Sequence, residues 1–157
     1  MLAMFPNLAL RWEDLAWLRE LTSLPLLAKG VLTAEDAVRA FDAGIDGLVV
    51  SNHGGRQVDG AIASLDALLE VRAAVGPDAP VLVDGGIRGG ADVLKALALG
   101  ANAVLLGRPY VYGLAVGGQS GVEAVVQQLA AETDLTLALI GGTVARDLDA
   151  AWIAASS

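Results

Sequence analysis

From Leu24 onward the chain alternates between two hydrophobic patterns. Four short apolar runs of strand length, 24–31, 47–52, 81–86 and 103–108, each end in glycine or polar residues. Between them the apolar positions recur at helical spacing. Segment 34–44 gathers Ala37, Val38, Ala40 and Phe41 on one side, 64–75 gathers Leu65, Leu68, Leu69, Val71 and Arg72, and 91–99 gathers Val93, Leu94, Ala96 and Leu97. Gly44 and Gly100 stand where a helix that has just ended favours glycine. Thr33 suits an N-cap, with Asp36 close to the first-turn amides. Ahead of this series, 12–21 reads as a helix stopped by Thr22, Ser23 and Pro25. Behind it, 121–140 reads as one or two helices and 150–157 as a short alanine-rich tail.

Strands that are apolar on both faces and alternate with amphipathic helices predict βα units around a parallel sheet. No linker or low-complexity stretch interrupts the pattern, so 1–157 reads as a single partial domain. Composition narrows the function classes. With 55% hydrophobic residues the 157-residue chain can build a core, and with 4% aromatics that core must be Ala, Leu and Val. Ten Lys+Arg against 18 Asp+Glu give a net charge of −8, which argues against nucleic acid as a partner. The absence of cysteine removes disulfides and thiolate metal sites, and a single histidine removes a His-rich metal cluster. No run resembles a membrane span, and the first ten residues lack the basic start of a signal peptide. The expectation is a cytoplasmic protein with no membrane partner and no bound metal.

The informative feature is where the polar residues sit. Each strand gives way at its C-terminal end to residues able to do chemistry: Lys29, then Ser51-Asn52-His53, then Asp84-Gly85-Gly86, then Gly107-Arg108. In (β/α) barrels the active site is built from that end of the strands and the loops that follow. The loop Asp84 through Gly90, with Ile87 and Arg88 inside it, has the glycines that let backbone amides approach an anion, and it opens a helix. Gly107-Arg108-Pro109 repeats the theme one strand later with an arginine able to take two phosphate oxygens. Either loop alone could be a tight turn; together they point to a phosphate-bearing ligand. Histidine is the side chain type suited to general-base work at neutral pH, which makes His53 a candidate base, and Arg56 offers a planar fork for a carboxylate. Lys29 points either to solvent or to a ligand. Tyr110, Tyr112 and Trp152 read as core or interface packing.

The stretches 24–31, Ser51 through Gln57, Asp84 through Arg88, 95–101 and Gly107-Arg108-Pro109 resemble the FMN-dependent α-hydroxy acid oxidases and dehydrogenases, with wording nearest the lactate 2-monooxygenase branch. The resemblance runs over about residues 10–148 and implies FMN as cofactor and a small L-2-hydroxy acid as substrate, oxidised to the 2-oxo acid. It implies His53 as catalytic base and Arg56 as the carboxylate anchor, with His53 also contacting substrate. It further implies Lys29 beside the flavin N1 and C2 carbonyl, Ser51 against the flavin, and Asp84, Gly85, Gly86, Ile87 and Arg88 on the ribityl-phosphate, closed by Gly107 and Arg108.

A full (β/α)8 barrel takes about 250 residues, and only four βα units are legible here. The expected fold is therefore α/β, the C-terminal half of a (β/α)8 TIM barrel. The carboxylate that partners the family's catalytic histidine would lie in the other half. Two open sheet edges are a pairing hazard, so a homo-oligomer, at least a dimer, is expected. The alternative reading is a non-catalytic FMN- or phosphate-binding half-barrel module.

Overall fold

A computed structural model describes residues 9–154. Helix α1 (Asp14–Leu21) is followed by β1 (Leu27–Val31), α2 (Ala34–Asp42), β2 (Gly47–Val50), α3 (Ser64–Val75), β3 (Val81–Asp84), α4 (Gly90–Ala98), β4 (Ala103–Leu105) and α5 (Arg108–Leu139), then by two single 3-10 turns, Ala145–Asp147 and Ala150–Trp152. The four strands form one parallel sheet in the order β1-β2-β3-β4. Strand order follows chain order and each crossover is a helix, which is the arrangement of consecutive βα units. This is a partial (β/α)8 barrel.

The core follows from the two periodicities. Strand β2 is buried at every position, as a central parallel strand covered on both faces must be. Leu48 and Val50 pack with Val81 and Val83 of β3, and Ala37, Ala40, Ala67, Leu68 and Val71 close the helical side. Small residues on α2 and α3 let these helices sit close to the sheet. The expected apolar sides are trimmed by this geometry: Val38 and Leu69 face solvent, because the buried stripe runs one position away from each. Thr33 caps α2 as expected, its hydroxyl accepting the Asp36 amide at 3.2 Å.

Each strand is shorter than its apolar run. Strand β2 stops at Val50 rather than 52, β3 at Asp84 rather than 86 and β4 at Leu105 rather than 108, while β1 starts at Leu27 rather than 24. After Val50 the Asn52 amide leaves the ladder to donate to the Ser64 hydroxyl. After Asp84, Gly85 and Gly86 turn the chain into the left-handed region. The polar ends of the runs thus become loops rather than strand. The last helix differs most. It begins at Arg108 rather than 121, with Pro109 in its first turn, and departs from helical geometry inside only at Gly118 (φ 59, ψ −140). The final 3-10 turn occupies part of the expected tail, whose last residues, like 1–8, lie outside the described residues.

At the N-terminal ends of the strands, two arginines tie the sheet to its helices. Arg72 of α3 donates to the carbonyls of Gly100 (2.9 Å), Gly76 (2.6 Å) and Ala79 (2.8 Å) and to Asn102 Oδ1 (3.0 Å). That same oxygen accepts the Val81 amide at 2.8 Å. Burial pushes the Arg72 guanidinium below its ordinary pKa, and the ring of acceptors offsets that cost. Arg19 of α1 reaches Asp46 at 2.7 Å and the carbonyls of Thr22 and Leu24. Asp46 also accepts the Leu26 amide; this bond and Arg19 hold its carboxyl below the usual range.

Candidate active site

The opposite end of the sheet holds a cleft of about 570 Å³. Its walls include Lys29 from β1, His53 and Arg56 from the β2–α3 loop, Asp84 to Arg88 from the β3–α4 loop, and Gly107 and Arg108 after β4. Every residue expected at the site lines this cleft except Ser51. The parallel order explains the convergence: four strands pointing the same way deliver their C-terminal residues to one rim.

Lys29 is neither a free surface lysine nor a bare cation. Its ammonium lies 2.7 Å from Asp84 Oδ2 and donates to Ser51 Oγ at 2.8 Å. Its side chain remains 42% exposed, against 19% for Asp84. Ser51 is completely buried. Its hydroxyl donates to Asp84 Oδ1 and accepts both the Lys29 ammonium and the His53 amide (3.1 Å). One donor and two acceptor positions are all a hydroxyl has. The residue stands behind Lys29 and His53 and braces both.

His53 stands at φ 55, the one non-glycine residue with positive φ among the described residues. Its carbonyl accepts Arg56 Nε at 2.9 Å, so the imidazole and the guanidinium fork share one turn of chain. Among the described residues no side chain hydrogen-bonds the imidazole and no carboxylate pairs with it. Arg56 and Arg108 both approach Gly54: a Cβ there would lie 3.9 Å from Arg56 Nε and 3.4 Å from Arg108 Nη2. Arg108 reaches the Gly54 carbonyl only at 3.5 Å. Arg56, Arg88 and Arg108 form no ion pair among the described residues. The cleft thus collects Lys29, Arg56, Arg88 and Arg108 around a single carboxylate, Asp84. Three arginines left without a carboxylate partner at one rim of a net acidic chain make an anion-binding surface.

Sequence reasoning read Tyr110 and Tyr112 as core or interface packing, and the structure rules out the core. Both are exposed, Tyr112 to 62%, and both line the cleft. Their position directly after Arg108, at the start of a helix that opens from a strand end, was the available signal. Trp152 is also exposed rather than in the core. Asn52, named at a strand end in the sequence but given no role of its own, anchors the His53 loop. Among the described residues no cluster of three or more His, Asp or Glu could hold a metal, and no helix is long and apolar enough to cross a membrane.

Residues 1–155 match the family of FMN-dependent dehydrogenases. The L-lactate oxidase of Nostoc sp. is 56% identical over 147 residues, covering 94% of this chain and 40% of that protein. A peroxisomal (S)-2-hydroxyacid oxidase of Arabidopsis thaliana, GLO3, is 55% identical over 130 residues, 83% of this chain and 36% of the relative. Among solved structures, a soluble mutant of the membrane-associated (S)-mandelate dehydrogenase of Pseudomonas putida superposes with a TM-score of 0.91 at 47% identity, covering 96% of this chain and 43% of that one. The chain therefore spans about 40% of the length of the relatives it matches. With a peroxisomal and a membrane-associated protein among them, the expectation of a cytoplasmic location finds no support in these relatives. On the family match and the shared fold, this chain belongs to the FMN-dependent dehydrogenases.

Proposed function

We propose that this chain carries the cofactor-facing and substrate-facing half of an FMN-dependent oxidoreductase that converts an L-2-hydroxy acid to the 2-oxo acid. The observation that carries the reading is the charge inversion at the cleft. In a chain of net charge −8, four cations and the one histidine gather around a single carboxylate. Such a surface suits a ligand with a phosphate and a substrate with a carboxylate. The residues fit FMN: Gly86 and Gly107 leave open space where a Cβ would stand, next to Arg88 and Arg108. Those four, with Gly85 and Ile87, would hold the phosphate and ribityl chain. When bound, FMN supplies the two-electron acceptor that this oxidation requires.

The chain's own residues do the rest. Arg56 takes the substrate carboxylate on its fork and so fixes the hydroxyl-bearing carbon relative to His53. An imidazole nitrogen of His53 accepts the proton released as the alcohol becomes a ketone. Lys29 places positive charge where negative charge develops on reduction, and Asp84 and Ser51 keep its ammonium in place. The open outer edges of β1 and β4 support the further reading that the chain is paired in solution.

The test titrates the purified chain with FMN and with riboflavin, then adds L-lactate without oxygen. Binding of FMN at least about tenfold tighter than riboflavin is expected from charge-assisted phosphate contacts, followed by bleaching of the visible flavin band. Tight binding without bleaching leaves the non-catalytic module. Absence of FMN binding overturns both.

A further inference from the structure

We propose that Asn52 is the positioning residue for His53, holding it in a left-handed backbone conformation that seats its imidazole on Gly30. This deepens the assignment of His53 as base and rests on it. A left-handed non-glycine residue is strained and persists only where its surroundings over-determine it. Here the surroundings are specific. Asn52 Oδ1 accepts the amides of Gly54 (3.0 Å) and Gly55 (3.2 Å), the two residues after His53. Asn52 Nδ2 donates to the Ile62 carbonyl at 3.3 Å, and the Asn52 amide donates to Ser64 Oγ at 3.0 Å. One side chain thus ties the outgoing arm of the β2–α3 loop to its returning arm. The anchor is Ser64, only 3% exposed at the start of α3.

The ring has a seat as well as a holder. A Cβ on Gly30 would stand 2.7 Å from His53 Cε1 and 3.6 Å from both Nδ1 and Nε2. The imidazole therefore rests its Cε1 edge on a glycine, with a nitrogen to each side. Gly30 sits at the register break in β1 with φ 104, so the bulge that makes room for the ring also follows directly on Lys29. The loop after β3 closes on the same holder: a Cβ on Gly85 would fall 3.0 Å from Ser64 Oγ and 3.4 Å from Asn52 Oδ1. With no hydrogen bond to its imidazole among the described residues, the direction of the base is set by this backbone clamp and the glycine floor.

His53 is the only histidine, so its imidazole signals in an NMR spectrum of the chain are unambiguous. In the wild type the expected result is a strong proton–proton contact between His53 Hε1 and the Gly30 α-protons, with slowed exchange of the Gly54 and Gly55 amides. Asn52→Ala removes the contact and speeds exchange at least tenfold at the Gly54 amide, whereas the Gly55 amide keeps its 3.0 Å bond to the Asn52 backbone carbonyl. Asn52→Asp, which keeps the acceptor oxygen, restores the contact and the Gly54 protection. Loss of the contact on Gly30→Ala with the Asn52 pattern intact at Gly54 and Gly55 further supports a separate floor. The proposal is overturned if the wild type lacks the contact, or if folded Asn52→Ala keeps contact and protection. Should Asn52→Ala fail to fold, the wild type and Asn52→Asp decide, since an Asp variant with the ring displaced also overturns it. None of these readouts uses FMN, so a chain that passes them yet binds no flavin sinks the proposed function and not the clamp.

Discussion

The two ends of the sheet use arginine in opposite ways. At the N-terminal rim, Arg72 donates to three carbonyls and an amide oxygen within 3.0 Å, and Arg19 is closed on Asp46 and two carbonyls. At the C-terminal rim, Arg56 and Arg108 each reach one carbonyl, and among the described residues the Arg88 side chain reaches no acceptor and no carboxylate pairs with any of the three. A guanidinium with every donor occupied by its own fold is a brace. A guanidinium with open donors beside two others is repelled by its neighbours until an anion arrives. The difference separates the end that holds the protein together from the end with cations left to meet an anion.

The sharpest way to break this comparison is at Arg72. Arg72→Met leaves a set of carbonyls without their charged donor and is expected to cost about 3 kcal/mol in urea unfolding, with FMN affinity unchanged in the molecules that remain folded. A loss of flavin binding in that folded fraction would erase the division between the rims. Arg108→Ala is the mirror experiment. It should weaken FMN binding by about 10- to 100-fold through the lost charge-assisted contacts while shifting stability by less than about 0.5 kcal/mol. The smallest effect lies at Asp46. Its folded-state pKa is depressed by the Leu26 amide and Arg19. The stabilisation it contributes is therefore complete above the unfolded-state pKa and lost as pH falls through the folded one. Thermal midpoints followed from neutral to acid pH should drop less steeply in Asp46→Asn, which has no carboxylate to protonate; identical slopes would remove Asp46 from the brace.

Much of the site could be read before any fold was known, and for a simple reason. In a parallel sheet whose strand order is chain order, residues at the C-terminal ends of successive strands must share a rim. Lys29, His53, Asp84 and Arg108 are far apart in sequence, yet that rule alone brings them together. The rule says nothing about what each side chain meets on arrival. That Ser51 is a buried hydroxyl bonded to Lys29, Asp84 and His53 at once could not be read from its place after a strand. Tyr110 and Tyr112 looked like packing and are exposed at the cleft, because the helix they begin starts at Arg108 and not past the glycines. Asn52 received no role of its own because its bonds run to the loop around it and to Ser64 and Ile62, partners invisible to periodicity.

The hydrophobic pattern by itself determined the βα units, the parallel sheet and the rim on which chemistry gathers, since burial of alternating layers leaves few other solutions for such a chain. Tertiary structure alone decided which cations are satisfied and which are free, and where the imidazole rests. Those outcomes depend on carbonyls, hydroxyls and a glycine surface contributed by segments distant in sequence, and hydrogen-bond saturation exists only once those segments have met.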